Sequence, residues 1–146
     1  MRAGDSYDYA VIRVVPRVER EEFINVGIVL SCERAKFLQA RIALNETRLR
    51  ILDPGVDVDQ VRRHLDAIVS ICAGEAGSGP IGQLSLRARF HWLTARRSAI
   101  IQTSATHMGR CADLQATMDR LMRQMVLVPG DREPRAVSAA RPCPPP

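Results

Sequence analysis

Two apolar segments of period two, Tyr7–Val15 and Phe23–Cys32, constrain this chain more than any other feature. Successive side chains of a strand point to opposite faces, so strict alternation specifies β-structure. In the first segment Ala10, Ile12 and Val14 share one side, and Tyr9, Val11, Arg13 and Val15 the other. Two nearly apolar sides predict a central strand. Pro16 ends it, because proline has no N–H to give to the ladder. In the second segment Ile24, Val26, Ile28, Leu30 and Cys32 form one apolar face. The charged connection Arg17–Glu22 makes the two an antiparallel hairpin. After the polar turn Glu33–Lys36, Phe37–Leu44 alternates again, which extends the hairpin to a three-strand meander with one face covered by helices.

The rest of the chain changes period. Asn45 is a cap for a short helix through Leu52. Asp57 with Gln60 starts a longer one, in which Val61, Leu65, Ile68 and Cys72 recur at helical spacing and Gly74 supplies the stop. Glu75–Gly82 reads as a glycine-rich loop. Ser85 caps another helix, with Leu86, Phe90 and Leu93 on one face and Arg96-Arg97 at its end. Ala99–Ser104 is expected as a fourth strand and His107–Ala112 as a loop. The last helix, Asp113–Leu127, carries the stripe Leu114, Met118, Leu121, Met122 and Met125. The expected fold is therefore α+β: a mainly antiparallel four-stranded sheet, a meander plus one late strand, with about three helices packed on it in the order β-β-β-α-α-β-α. Residues 1–128 form one domain. Residues 129–146, which end Pro-Cys-Pro-Pro-Pro, are too poor in large apolar side chains to fold and read as a disordered tail.

Composition narrows the function classes. The 146 residues suffice for one domain with a core of its own. The polar N-terminus lacks the apolar stretch of a signal peptide, and no apolar run is long enough to span a bilayer, so a cytoplasmic protein without membrane contact is expected. Cys32, Cys72, Cys111 and Cys143 are widely spaced, with no close pair of the kind a zinc site uses. They read as free thiols, and no metal or cofactor is expected. Of 21 basic residues only Lys36 is lysine, and the net charge is +5. The arginines are interleaved with acids rather than massed in a run, so the charge permits nucleic-acid binding without requiring it.

Several clusters carry candidate chemistry. Arg13, Arg17, Glu19, Arg20, Glu21, Glu22 and Asn25 put both signs of charge around the first hairpin connection, as a recognition edge would. The plain alternative is a solvated loop with its own ion pairs. Glu19, Glu21 and Glu22 lack the separated partner carboxylate that a magnesium site would use. His107 and Cys111, just before a helix, suggest a base and a thiol nucleophile, but no third group orients them. His91 and Arg96, with Trp92 and Arg97, border the stripe of their helix, where stacking or phosphate contacts compete with a merely basic face. The methionine stripe reads first as core. The glycine-rich segment lacks the lysine of a phosphate-binding loop.

The stretch Tyr9–Leu30 (YAVIRVVPRVEREEFINVGIVL), with Pro80-Ile81-Gly82 and Phe90-His91-Trp92-Leu93, resembles the bacterial family known as domain of unknown function 3037. The resemblance runs from about Tyr7 to about Leu127. It implies a small bacterial protein and transfers no catalytic residue, since the family has no established activity. It also implies, as a partner, a HipA-like kinase encoded nearby. The leading expectation is a non-enzymatic binding or regulatory module that acts with a protein partner through Arg13, Arg17, Glu19, Arg20, Glu22, Asn25, His91 and Arg96. A nucleic-acid binder using the arginine surface is one alternative. A small hydrolase or transferase using His107 and Cys111, or the charged hairpin, is the other.

Overall fold

The computed structural model describes residues 4–131. Its centre is a five-stranded antiparallel sheet built on β1 (Asp5–Val14), β2 (Ile24–Cys32) and β3 (Phe37–Ile42). These are the three segments whose alternation predicts a meander. Helices α1 (Glu46–Leu52), α2 (Val58–Ala73), α3 (Gly79–Gly82) and α4 (Leu86–Thr94) follow, then β4 (Ile101–Thr103), β5 (His107–Cys111) and α5 (Leu114–Leu121). A π-helical turn, Met122–Val126, continues α5.

The three caps read from the sequence form, and Asp113 adds a fourth at the start of α5. Asn45, Asp57, Ser85 and Asp113 each accept a hydrogen bond from the backbone N–H three residues on, at 3.0–3.2 Å. Gly74 ends α2 in the left-handed region at φ 67°, where a side chain would be strained. Helix α4 stops at Thr94, and Arg97 reaches back to donate to the Trp92 carbonyl. The Glu75–Gly82 loop is instead a 3-10 turn, Ala76–Ser78, running into the one-turn α3.

Three expectations change. The late strand is two strands, because His107–Ala112 is not a loop: its first five residues form β5. Both β4 and β5 pair antiparallel with β1, on the side away from β2. Ile12 faces Thr103 and Tyr9 faces His107, so three steps along β1 match four along its partner, a one-residue bulge. Helices also cover both faces rather than one. Ala10, Ile12 and Val14 pack with Val61, Leu65, Phe90 and Leu93 from α2 and α4. Tyr7, Val11, Ile28 and Leu30 pack with Met118, Leu121 and Met122 on the other side. Finally, the single apolar face of β2 is divided. A register shift between Ile12 and Arg13 leaves Val26 as an extra residue, so Ile24 and Val26 join the α2 side while Ile28, Leu30 and Cys32 keep the α5 side.

Folded structure continues beyond residue 128. The Val128 N–H donates to Asp131 Oδ2 at 3.0 Å, and Asn45 Nδ2 donates to Asp131 Oδ1 at 3.1 Å. Residues 132–146, where most of the tail is expected, and Cys143 with them, lie outside the described residues. No helix among the described residues is long and apolar enough to cross a membrane.

Candidate functional site

The β2 bulge decides what stands beside Arg13. Arg13 lies opposite Asn25 of β2 and opposite Gln102 of β4. Directly opposed residues project to the same side of a sheet. Asn25, Arg13 and Gln102 therefore form a polar row across three strands, at the end of an otherwise apolar face. Pro16 breaks β1 just beyond it. The chain turns through a 3-10 segment, Val18–Arg20, and Glu21 takes the left-handed conformation at φ 56°. That turn returns Phe23 over the row, with the Arg13 guanidinium carbon 4.2 Å from its ring centroid. A contact of this kind contributes about 0.5–1 kcal/mol at an exposed site.

The π-helical turn closes the opposite side of Asn25. Asn25 Nδ2 donates to the Met125 carbonyl at 3.0 Å. Met125 itself is 37% exposed, so the methionine stripe leaves the core at its last member. Asn25 Oδ1 and Arg13 Nε are buried and have no hydrogen-bond partner in the protein. A buried polar group left without a partner costs about 1–3 kcal/mol, and these two belong to directly opposed residues of β1 and β2. A cavity of about 340 Å³ opens beside Arg13, lined also by Glu21, Phe23, Ser98 and Gln102. No described ion pair includes Arg13. Its guanidinium is thus a planar fork of donors without a carboxylate, a shape matched by carboxylate and phosphate groups.

Four of the other loop charges pair with one another, while Glu21, which lines the cavity, joins no ion pair among the described residues. Arg17 Nε lies 4.0 Å from Glu19, with the two side chains 57% and 75% exposed. Arg20 pairs with Glu22 in the same way. Exposed pairs of this kind contribute about 0–1 kcal/mol. Further arginines are also spoken for: Arg87 pairs with Asp8 at 2.9 Å, Arg41 with Asp119, and Arg62 with Glu46. The contact with Arg62 holds the Glu46 carboxyl below its ordinary value, first through the hydrogen bond and then through charge.

Most of the remaining candidates stand apart from this site. His91 belongs to α4, in the layer on the other face of the sheet, whereas Arg96 lies in the segment after it, two residues before the cavity-lining Ser98. Arg97 stacks on Trp92 with its guanidinium carbon 4.4 Å from the ring. His107 and Cys111 occupy the two ends of β5, four residues and so roughly 13 Å apart along an extended strand. His107 packs against the Tyr9 ring at 5.3 Å, and Cys111 lies opposite Asp5. A base and nucleophile require hydrogen-bond reach, so the paired reading of these two residues fails on the extended geometry of β5. Among the described residues no three His, Cys, Asp or Glu side chains converge as a metal would require. Cys72 is a buried residue of α2, and desolvation pushes its thiol up to about 12. Gln102 and the Met125 carbonyl are site members that sequence reading does not find, because strand register and a π turn bring them there.

No curated protein and no solved structure matches the chain. Residues 9–126, from the middle of β1 to the end of the π turn, match the family described as "Protein of unknown function (DUF3037)", and the chain belongs to that family.

Proposed function

We propose that this protein is a non-enzymatic binding module and that its recognition site is the sheet end formed by Arg13, Phe23, Asn25 and Gln102. One observation carries the reading: Arg13 presents a guanidinium stacked on Phe23, with no carboxylate of its own, at the mouth of a cavity of about 340 Å³. A carboxylate of a protein partner fits that fork bidentately, and an aromatic beside an arginine is a common composition for a binding centre. The exposed pairs Arg17–Glu19 and Arg20–Glu22 form a polar rim around it. The HipA-like kinase implied by the family resemblance is the first partner to test, in a bacterial cytoplasmic setting.

The test compares Arg13→Ala with Arg20→Ala in the full chain, using titration calorimetry against that kinase. Loss of about tenfold or more in affinity for Arg13→Ala, with Arg20→Ala nearly unchanged, is the expected result. Equal losses would reduce the site to general surface charge. Undiminished binding by Arg13→Ala would exclude this site as the kinase contact.

A further inference from the structure

The second feature of the molecule that calls for a partner is the far edge of the sheet. Strand β3 is the terminal strand on that side, with β2 on its inner flank. Ala43 N–H donates to the Val26 carbonyl, so the alternation of an antiparallel ladder turns the N–H and C=O groups of Leu38, Ala40 and Ile42 outward. Among the described residues nothing pairs with them. Edges left open are usually guarded by lysine, proline, a bulge or an inward charge. In β3 the one charge, Arg41, is directed at Asp119 and Gln115 of α5, and its side chain is only 12% exposed. Both bulges of the sheet lie elsewhere. The six-residue edge thus holds no lysine, proline or bulge, and its one inward charge is neutralised by Asp119.

Helix α2 roofs this edge. Between the two runs a groove of about 300 Å³, walled by Leu38, Ile42, Leu44, Leu65 and Val69. Arg62, Asp66, Val69 and Ala73 recur along it at i, i+4, i+7 and i+11, one stripe of α2 facing the open side. Asp66 has no ion-pair partner among the described residues, while Arg62 engages Glu46 through Nε and Nη2 only. An acid and a base one helical turn apart are self-complementary about a two-fold axis: the Arg62 of each copy meets the Asp66 of the other.

We infer that the β3 edge takes a second copy of this chain, with the two β3 strands antiparallel about a two-fold axis and the α2 helices side by side above them. The same six residues then supply both strands, and the outward groups of Leu38, Ala40 and Ile42 satisfy their counterparts. The pairing is independent of the Arg13 site, which lies across β2 on β1.

Sedimentation of the full chain over a concentration series, combined with amide hydrogen exchange, tests this. A dimer is expected whose Leu38, Ala40 and Ile42 amides exchange slowly. Asp66→Arg sets like charges against each other across the axis and should weaken association by about tenfold or more. Arg62→Asp with Asp66→Arg should restore it, and Ala73→Arg on the same stripe should also weaken it. A chain that remains monomeric with freely exchanging β3 amides overturns the inference, as does a dimer whose β3 amides exchange freely. Monomers whose β3 amides are protected until the chain is truncated after Asp131 would assign the edge to residues 132–146 and overturn it too.

Discussion

Val11 and Ser104 hold each other by two hydrogen bonds: the Val11 N–H donates to Ser104 Oγ, and the Ser104 N–H donates to the Val11 carbonyl, both at 2.8 Å. They meet at the bulge between β4 and β5, where the backbone ladder skips and a strand donor would otherwise be orphaned. The hydroxyl takes the place of the missing carbonyl. Ser104 is buried, so water cannot replace it. Ser104→Ala should therefore lower unfolding stability by about 1–3 kcal/mol, read from urea denaturation, with faster exchange of the Val11 amide. A change within a few tenths of a kcal/mol would mean that the bulge relaxes without its serine.

Gly27 faces a similar constraint from the other side. A Cβ there would stand 2.5 Å from the Arg41 carbonyl oxygen, and backbone cannot yield as a flexible side chain does. Gly27→Ala is expected to cost about 1–3 kcal/mol and to loosen the β2–β3 pairing first. Exchange rates of the β3 amides that face β2, compared with those of β1, would show where the damage falls.

Arg13 and Phe23 should be coupled. In a double-mutant cycle of Arg13→Met and Phe23→Leu, thermal or urea unfolding should give an interaction of about 0.5–1 kcal/mol. Coupling of that size, beside a large effect of Arg13→Ala on partner binding, would separate what Arg13 does for the fold from what it does for recognition. Additive single variants would show that the stacking is geometric only.

Cys72 gives a pH dependence of known sign. Its thiol rises from an ordinary 9.0 to about 12 because burial disfavours the thiolate. The unfolded chain therefore loses this proton first as pH rises. The stabilisation is complete below pH 9 and disappears between pH 9 and 12. Over that window the wild-type chain should lose stability more steeply than Cys72→Ala, in denaturation curves at stepped pH. The same burial predicts that iodoacetamide labels Cys72 only on unfolding.

Glu46 has the opposite sign. Its folded carboxyl lies below its ordinary value of 4.5 owing to Arg62 and Arg50. Its contribution is therefore present above pH 4.5 and is lost as pH falls through the folded value. The side chain is exposed to solvent, so salt should screen the effect. Glu46→Gln should flatten the acid limb of the stability profile at low ionic strength and change it little at high salt.

The sequence by itself determined the local structure of this protein. Alternation in Tyr7–Val15, Phe23–Cys32 and Phe37–Leu44 is a property of neighbouring residues, and so are the caps at Asn45, Asp57, Ser85 and Asp113 and the left-handed stop at Gly74. These formed as their chemistry requires, except that the bulge at Val26 divides the alternating face of Phe23–Cys32. The charged connection from Arg13 to Asn25 was likewise legible as a stretch of mixed charge. Tertiary structure alone decided what those residues do there. Val26 bulges because β1 and β2 pair in a particular register, and that one-residue shift sends Ile24 and Val26 to one face and Asn25 beside Arg13. Gln102 joins the row from a strand separated by the whole helical segment, and the Met125 carbonyl from a π turn that a helical stripe does not distinguish from α-helix. β5 was hidden for a related reason: His107–Cys111 has little alternation of its own and becomes a strand only because the N-terminal half of β1 offers it a ladder. Periodicity reports which face a side chain prefers. Register, which depends on residues far apart in the chain, decides which side chains meet.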